Sequence, residues 1–158
     1  MKTIAFFGHR KLFNKNKIKE KVFEKLKEVI PQGFSRVLVG CHGDFDNIAL
    51  SVSLNYKEKF DQNLEICIVL TSLTYLTKDE NGYSCADIYK EKGCETIFYD
   101  IEETYFKNKI IVSNKKMVND SDLIICYVDM KSYKSGAKIA INYALKQNKK
   151  IINIFKEE

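Results

Sequence analysis

Polar residues suited to binding an anion follow the first two apolar segments of the chain. The first segment, residues 4–7 (IAFF), runs directly into the triplet GHR, residues 8–10. The second, residues 36–39 (RVLV), is followed by the loop GCHGDFD, residues 40–46. Glycine lets a backbone approach a bound group closely, and an arginine guanidinium binds phosphate or carboxylate through two hydrogen bonds. The two loops therefore predict a site for an anionic ligand.

Three further loops carry polar residues after an apolar segment. Thr71 follows the third segment, Asp100 follows the fourth, and Asp129 with the run KSYKSG, residues 131–136, follows the fifth. In open parallel sheets, ligands bind beyond the carboxyl ends of the strands, where such loops meet. The ligand-binding residues predicted in these loops are Gly8, His9, Arg10, Gly40, His42, Gly43, Asp44, Asp46, Thr71, Ser135 and Gly136.

The predicted roles of the second loop follow from its chemistry. Gly40 and Gly43 let the main chain approach a phosphate, and the next helix, beginning near residues 46–47, offers free N–H groups. A further helix N-terminus is predicted at Ser135, where it would form a second anion site. Asp44 and Asp46 could accept hydrogen bonds from ribose hydroxyls, and Asp46 could instead cap its helix.

Strands and helices are predicted to alternate along the chain. Short apolar runs, typical of parallel strands covered on both faces, predict strands at residues 3–7, 36–39, 64–70, 96–99, 123–128 and 150–154. Apolar residues between them recur at helical spacing, and a shorter helix over residues 86–92 is expected to end at Gly93. The pattern predicts one α/β domain over residues 1–158. Its fold would be Rossmann-like, with a mostly parallel central sheet of about six strands and helices on both faces.

The composition is that of an ordinary folded domain. The chain has 158 residues, of which 45% are apolar, enough to build a core. No segment approaches the ~18–20 apolar residues of a membrane span, and the N-terminal residues make a poor signal peptide, so we expect a cytoplasmic protein without a membrane partner. The five cysteines are odd in number and show no C-x-x-C spacing, which predicts reduced thiols.

The formal net charge of +5 makes the chain mildly basic. Lys and Arg are concentrated in residues 10–27, where the acidic residues are Glu20 and Glu24. Such a run is typical of the solvent face of a helix, and no aromatic residues are interleaved there for base stacking. A nucleic-acid surface remains the alternative interpretation of this run.

Other chemistries match the sequence less well. A zinc site from His9, Cys41, His42 and Asp44 has no familiar ligand spacing. The side chains of Cys41 and His42 are expected to diverge because the residues are adjacent, which disfavours a thiolate–imidazole pair. Neither G-x-x-x-x-G-K-[ST] nor G-x-G-x-x-G is present. We therefore predict no metal and no cofactor.

Four stretches resemble the YpsA-like branch of the SLOG superfamily. They are AFFGHR (5–10), VGCHGDFDNIA (39–49), SNKKMVNDSDLIICYV (113–128) and SGAKIAINYALKQNKKIINI (135–154). That superfamily groups Rossmann-like domains related to the DNA-processing protein Smf/DprA and to the LOG phosphoribohydrolases. The resemblance implies a Rossmann-like fold and a nucleotide-like ligand, and it adds Asn114 of the third stretch to the predicted ligand-binding residues.

The chain also departs from these motifs. Asp44 stands where the branch has a glycine, Ser113 stands where it has an arginine, and Ser135 replaces the first residue of a glycine pair. LOG enzymes carry a glutamate in the motif P-G-G-x-G-T-x-x-E, whereas this chain has Asn142 downstream of the corresponding stretch. These departures argue against LOG-type catalysis.

Three functions are compatible with the sequence. The preferred one is a sensor or binding module for a nucleotide or an ADP-ribose-type molecule, whose base could stack on Tyr75 or Tyr133. The second is an enzyme that hydrolyses or transfers at an N-glycosidic bond, which requires a carboxylate near the anomeric carbon and would be favoured by a cavity carboxylate of raised pKa. Its candidate carboxylates are Glu102, Glu103, Asp44 and Asp129. The third is DprA-like nucleic-acid binding. Apolar loop tips such as Leu73 are compatible with a homo-oligomer.

Overall fold

The computed structural model describes residues 1–99, 108–132 and 135–157, which alternate between strands and helices. The strands are β1 (Lys2–Gly8), β2 (Phe34–Val39), β3 (Glu65–Leu70), β4 (Glu95–Phe98), β5 (Leu123–Tyr127) and β6 (Lys150–Asn153). The helices are α1 (Lys15–Val29), α2 (Asp44–Lys59), α3 (Cys85–Glu91), α4 (Lys109–Asn119) and α5 (Gly136–Lys146). Short 3-10 turns lie at Ile30–Gln32, Leu73–Leu76 and Ile154–Glu157. All six predicted strands are confirmed, with ends that differ by one or two residues.

The strands form one parallel sheet in the order β4-β3-β2-β1-β5-β6. The first four strands are added outward in one direction, and β5 then pairs with the other side of β1. The order of the strands therefore reverses between β1 and β5, and such a reversal opens a crevice at the carboxyl ends of the strands. The loops after β1 and β5 border this crevice directly.

Helices cover both faces of the sheet, as predicted. Ile4 and Phe6 of β1 pack with α1 and α2 on one face, whereas Ala5 and Phe7 pack with α4 and α5 on the other. All four side chains are buried, which explains why β1 has a continuous apolar sequence and no alternation of polar and apolar residues. Burying a side chain of the size of Phe or Ile contributes about 1.5–3 kcal/mol to folding, so both layers stabilise the position of the strand ends.

The predicted short helix is confirmed as α3, and local hydrogen bonds define its ends. The hydroxyl of Ser84 accepts the N–H of Asp87, and the Asp87 carboxylate accepts the N–H of Ser84, which completes a capping box. At the other end, Gly93 has a φ of 89°, a left-handed conformation that glycine adopts without strain.

Candidate functional site

A cavity of about 200 Å³ lies at the carboxyl ends of β1, β2 and β3, between these strands and helices α4 and α5. Most of the predicted ligand-binding residues line it: Gly8, His9, Arg10, Gly40, His42, Asp46, Thr71, Asn114, Ser135 and Gly136. Gly43 and Asp44 lie outside this lining. Residues more than 100 positions apart in sequence thus share one cavity because the parallel sheet brings its strand ends together.

Some sequence predictions concern residues outside the described part of the chain. Asp100, the carboxylate candidates Glu102 and Glu103, and the stacking candidate Tyr133 are among them. The other stacking candidate, Tyr75, is half-buried against the core and is not part of the cavity lining. Its predicted stacking on a base therefore gains no support.

The N-terminus of α2 differs from the prediction in where it begins and in what it binds. The helix begins at Asp44 rather than near residues 46–47, and Gly43 is its N-cap residue. Its first N–H groups are occupied, because Asp44 donates to the carbonyl of Arg10 at 2.8 Å and Phe45 donates to the carbonyl of His9 at 3.4 Å. The β1–α1 loop therefore uses two of the donors that the predicted anion site at this helix would need.

The glycines of the first two loops make room for protein atoms. A Cβ atom at Gly40 would lie 2.8 Å from Oδ2 of Asp46, and one at Gly43 would lie 2.5 Å from Cα of Arg10. A Cβ atom at Gly8 would lie 2.2 Å from Cγ of Phe45. Gly43 also has a φ of 110°, which disfavours other residues. Packing between the loops therefore explains why glycine occupies these three positions. On the sequence alone, Gly40 and Gly43 are instead assigned to the close approach of the backbone to a phosphate.

The N-terminus of α5 matches the prediction and faces the cavity. Ser135 is the N-cap residue, and its hydroxyl accepts the N–H of Lys138 at 3.2 Å. The N–H groups of Gly136 and Ala137 belong to the first helical turn, which has no acceptor for them within the helix, and both residues line the cavity. The partial positive charge of this helix end is therefore directed at the cavity.

Asp46 is the one carboxylate among the described residues that line the cavity. Its predicted role as a helix cap is wrong, because its Oδ2 atom accepts the N–H of His42, two residues before the helix, at 2.8 Å. Burial raises the pKa of the Asp46 carboxyl to about 6, although the His42 N–H and the nearby Arg10 guanidinium act in the opposite direction. Asp46 is thus ionised at neutral pH but protonates more readily than an ordinary aspartate.

Arg10 is exposed at the edge of the cavity. Its guanidinium forms no hydrogen bond or ion pair within the part of the chain that the structure describes, so all of its donors are available to a ligand. Its positive charge lies close enough to His42 to lower the pKa of that imidazole. It also partly offsets the rise that burial causes in the pKa of Asp46. Arg10 is therefore the one cationic side chain among the described residues that line the cavity.

The His42 side chain lies on the β3 side of the cavity, where it contacts Thr71. Its Nε2 atom lies 2.8 Å from Oγ1 of Thr71 and 3.7 Å from Sγ of Cys41. The expectation that the side chains of Cys41 and His42 diverge is wrong, because the two residues lie in a turn and not in an extended strand. Burial nevertheless raises the pKa of the Cys41 thiol and lowers that of the His42 imidazole, so the pair remains neutral rather than forming a thiolate–imidazolium pair.

His9 connects the loops after β1 and β5. Its Nε2 atom accepts a hydrogen bond from the N–H of Asp129 at 2.9 Å. Burial lowers the pKa of the His9 imidazole, against the opposing effect of the Asp129 carboxylate. Since a nitrogen that accepts a hydrogen bond carries no proton, the proton of neutral His9 lies on Nδ1. The side chain can therefore donate one neutral hydrogen bond to a ligand.

The other two carboxylate candidates that the structure describes have structural partners. Asp44 accepts the N–H of Leu12 at 2.9 Å and lies 3.4 Å from Nζ of Lys15. The hydrogen bond from Leu12 holds the pKa of the Asp44 carboxyl below its usual value. The carboxylate of Asp129 accepts the N–H of Lys131 at 2.9 Å. Neither residue belongs to the cavity lining, so neither is placed to act on a ligand there.

Sequence reasoning missed the apolar part of the cavity. Its apolar lining residues are Phe6, Phe7, Val69, Ile110, Met117 and Ala137. In the sequence these residues follow the same periodic pattern as the core. Val69 could have been found from its position two residues before Thr71 at the end of β3, whereas Ile110 and Met117 depend on how α4 packs. An apolar wall beside a few polar groups is typical of small-molecule sites.

The described residues contain no group of three or more His, Cys, Asp or Glu side chains arranged to hold a metal ion. The zinc site weighed from His9, Cys41, His42 and Asp44 therefore has no geometric support. Over the same residues, no helix has the length and apolar character needed to cross a membrane.

Comparison with known proteins finds no protein-family model that matches this chain, and no curated protein matches it either.

Proposed function

We propose that the protein binds a nucleotide or a nucleotide-derived molecule, of the ADP-ribose type, in the cavity at the carboxyl edge of its sheet. The observation that carries the proposal is that Arg10 and the N-terminus of α5 line the same small cavity. An arginine with free donors and a helix N-terminus both stabilise a phosphate group. The resemblance of four sequence stretches to the SLOG superfamily supports the same class of ligand.

Neutral hydrogen-bonding groups complete the recognition of such a ligand. His9 offers Nδ1–H, and Asn114 of α4 lies beside Gly136 in the cavity lining, with its Nδ2 atom 4.0 Å from the position of a Cβ there. The apolar wall of the cavity includes Met117 and Val69. Such a wall suits the face of a sugar ring that carries C–H groups. A single phosphate with its attached ribose therefore matches the chemistry of the lining better than a free inorganic anion does.

The size of the cavity limits which part of the ligand it encloses. Its volume of about 200 Å³ is below the ~300–1,000 Å³ that is usual for drug-sized ligands. The cavity formed by the described residues thus suits a sugar phosphate, with the base outside it.

A second candidate, an enzyme that cleaves an N-glycosidic bond, is favoured by Asp46. Such a reaction needs a carboxylate near the anomeric carbon, and Asp46 contributes that group to the cavity with a pKa raised to about 6. In hydrolysis, the carboxylate would take a proton from water, the water oxygen would bond to the anomeric carbon, and the bond to the base would break. The base leaves with the bonding electron pair and receives a proton.

The test begins with the purified protein and any small molecule that remains bound to it. Acid extraction and mass spectrometry identify that molecule, and a panel of AMP, ADP, ADP-ribose and cyclic nucleotides is then screened for thermal stabilisation. A ligand at 100 times its dissociation constant adds about 2.7 kcal/mol to the free energy of unfolding, which gives a clear rise in melting temperature. Arg10→Ala is the test variant, and Lys11→Ala, which removes a neighbouring charge outside the cavity lining, is its control.

The outcomes separate the two candidates. Stabilisation of the wild type and Lys11→Ala, with loss in Arg10→Ala and intact ligand recovered afterwards, supports the binding module. Release of a free base during incubation, absent in Asp46→Asn, supports the glycosidic enzyme. If no nucleotide binds to the wild type, the cavity is not a nucleotide site.

A further inference from the structure

We propose that the Asp46 end of the cavity binds the hydroxyl groups of a sugar, so that the ligand enters with its sugar at Asp46 and its phosphate at α5. The class of ligand is thus a phosphorylated sugar with free hydroxyl groups, alone or as part of a nucleotide. This inference rests on the proposed function, because it concerns the same cavity.

The first support is the free acceptor capacity of Asp46. Its Oδ2 atom accepts the N–H of His42 at 2.8 Å, but no donor within the described part of the chain reaches Oδ1. A carboxylate has about four acceptor positions, so most of them remain unused. A largely buried carboxylate with an oxygen that lacks donors is costly, and a ligand that supplies hydroxyl donors reduces that cost.

The second support is the charge distribution around Asp46. An anionic group at this end of the cavity would be repelled by the carboxylate. A cationic group would be repelled by the Arg10 guanidinium, which lies close enough to Asp46 to affect its protonation. A neutral donor suffers neither repulsion, and a hydroxyl group is the neutral donor that a sugar offers.

The third support is that contacts within the protein already occupy three of the backbone donors that a phosphate could use here. The N–H of His42 is bonded to Asp46, and the N–H groups of Asp44 and Phe45 are bonded to carbonyls of the β1–α1 loop. Gly40 leaves room for the Asp46 carboxylate, since a Cβ there would lie 2.8 Å from Oδ2. The Asp46 carboxylate thus occupies the place in this loop where an anion would otherwise bind. The phosphate of the ligand is therefore assigned to α5 and Arg10.

Neighbouring side chains extend the polar surface at this end of the cavity. Thr71 and His42 both line the cavity, and their Oγ1 and Nε2 atoms form a hydrogen bond of 2.8 Å. A hydroxyl and an imidazole beside a carboxylate provide both donors and acceptors, as adjacent sugar hydroxyl groups require.

The experiment compares three probes by isothermal titration calorimetry at pH 7.5: ribose 5-phosphate, 2-deoxyribose 5-phosphate and orthophosphate. They are titrated into the wild type and Asp46→Asn. Asp44→Asn is the matched control, since it removes a carboxylate of the same loop that lies outside the cavity lining. The asparagine at position 46 keeps an acceptor for the His42 N–H, so the loop is expected to fold in the variant.

The expected result is that Asp46→Asn weakens the binding of ribose 5-phosphate by about tenfold or more, as is usual for the loss of hydrogen bonds to a charged group. Its affinity for orthophosphate is unchanged or higher, because a negative charge has been removed. In the wild type, 2-deoxyribose 5-phosphate binds more weakly than ribose 5-phosphate. Asp44→Asn matches the wild type with every probe.

Two other results would overturn the inference in different ways. If ribose 5-phosphate binds to the wild type and equally well to Asp46→Asn, the hydroxyl inference is wrong while the proposed function stands. If neither sugar phosphate binds to the wild type, and AMP and ADP-ribose also fail to bind, both proposals are wrong.

Discussion

The Nε2 atom of His9 accepts the backbone N–H of Asp129 at 2.9 Å, across 120 positions of the sequence. The contact connects the loops that follow β1 and β5, the two neighbouring strands between which the strand order reverses. It also determines the tautomer of the imidazole, because the accepting nitrogen cannot carry the proton. His9 therefore acts as a neutral donor through Nδ1 while it positions the loop that leads to α5.

His9 is expected to remain neutral at pH 7 with its proton on Nδ1. Burial lowers its pKa, so the unfolded chain takes up the proton near pH 6.5 while the folded chain does not. His9 therefore reduces stability as the pH falls below about 6.5. Long-range ¹H–¹⁵N NMR correlations of the imidazole between pH 5 and 8 report both the tautomer and the midpoint. A proton on Nε2, or a midpoint above 6.5, would contradict this assignment.

The order of the elements could be predicted from the sequence because it depends on local patterns. Runs such as residues 64–70 are apolar throughout, and only a strand covered on both faces or a buried helix uses such a run. Their length of four to seven residues favours strands, and the structure confirms this choice. The N-terminus of α5 was predictable for the same reason, since Ser135 before a helical pattern is a local capping signal.

The start of α2 could not be predicted because it depends on a tertiary contact. The carbonyl groups of His9 and Arg10 accept the first N–H groups of the helix, which allows Asp44 to become its first residue. No local pattern reveals an acceptor that lies 34 positions away. The same contact explains why Gly43 is required and why the first two N–H groups of this helix are not available to a phosphate.

Asp46→Asn is expected to stabilise the folded protein above pH 6. A carboxyl whose pKa is raised to about 6 in the folded state, from about 3.8 when unfolded, contributes its full stability below pH 3.8 and loses it as the pH rises through 6. The loss is on the order of 2–3 kcal/mol at pH 8, of which the variant should recover a large part. Urea unfolding of both proteins at pH 5, 6, 7 and 8 measures the difference.

The difference in unfolding free energy between the wild type and Asp46→Asn reports on Asp46. The histidines titrate in an overlapping pH range, but they contribute equally to both proteins. The neighbouring groups Arg10, Cys41 and His42 are present in both proteins. The advantage of Asp46→Asn should therefore grow between pH 5 and pH 7 and then level off. An advantage that does not change with pH, or a variant less stable than the wild type at pH 8, would show that the carboxyl is not strained by burial.

Gly8→Ala is expected to destabilise the fold through a single clash. Its Cβ would lie 2.2 Å from Cγ of Phe45, a buried side chain that cannot shift easily. Overpacking of this kind costs about 1–3 kcal/mol. In a Phe45→Ala background the clash with the ring is removed, although Cβ of residue 45 still lies 2.5 Å away, so the same change at Gly8 should cost less than it does in the wild type. A double-mutant cycle by urea unfolding measures this coupling, and additive effects of the two changes would contradict the proposed contact.

Gly136→Ala is expected to act on binding and not on folding. Gly136 is the first residue of α5, and the nearest atom to a Cβ there is Nδ2 of Asn114 at 4.0 Å, an ordinary contact. An alanine at this position restricts the unfolded chain, so the stability should stay the same or rise by up to about 1 kcal/mol. The added methyl group, however, projects beside the N–H groups that we assign to the phosphate.

Calorimetric titration of the Gly136→Ala variant with ribose 5-phosphate should therefore show an affinity loss of about tenfold, at an unchanged or higher melting temperature. Gly82→Ala is a useful contrast, because Gly82 has open space around it but a φ of 79° that disfavours alanine. That variant should lose stability and keep its affinity. If Gly136→Ala binds the sugar phosphate as well as the wild type does, the phosphate does not lie at the N-terminus of α5, and the Arg10 side of the cavity must hold it alone.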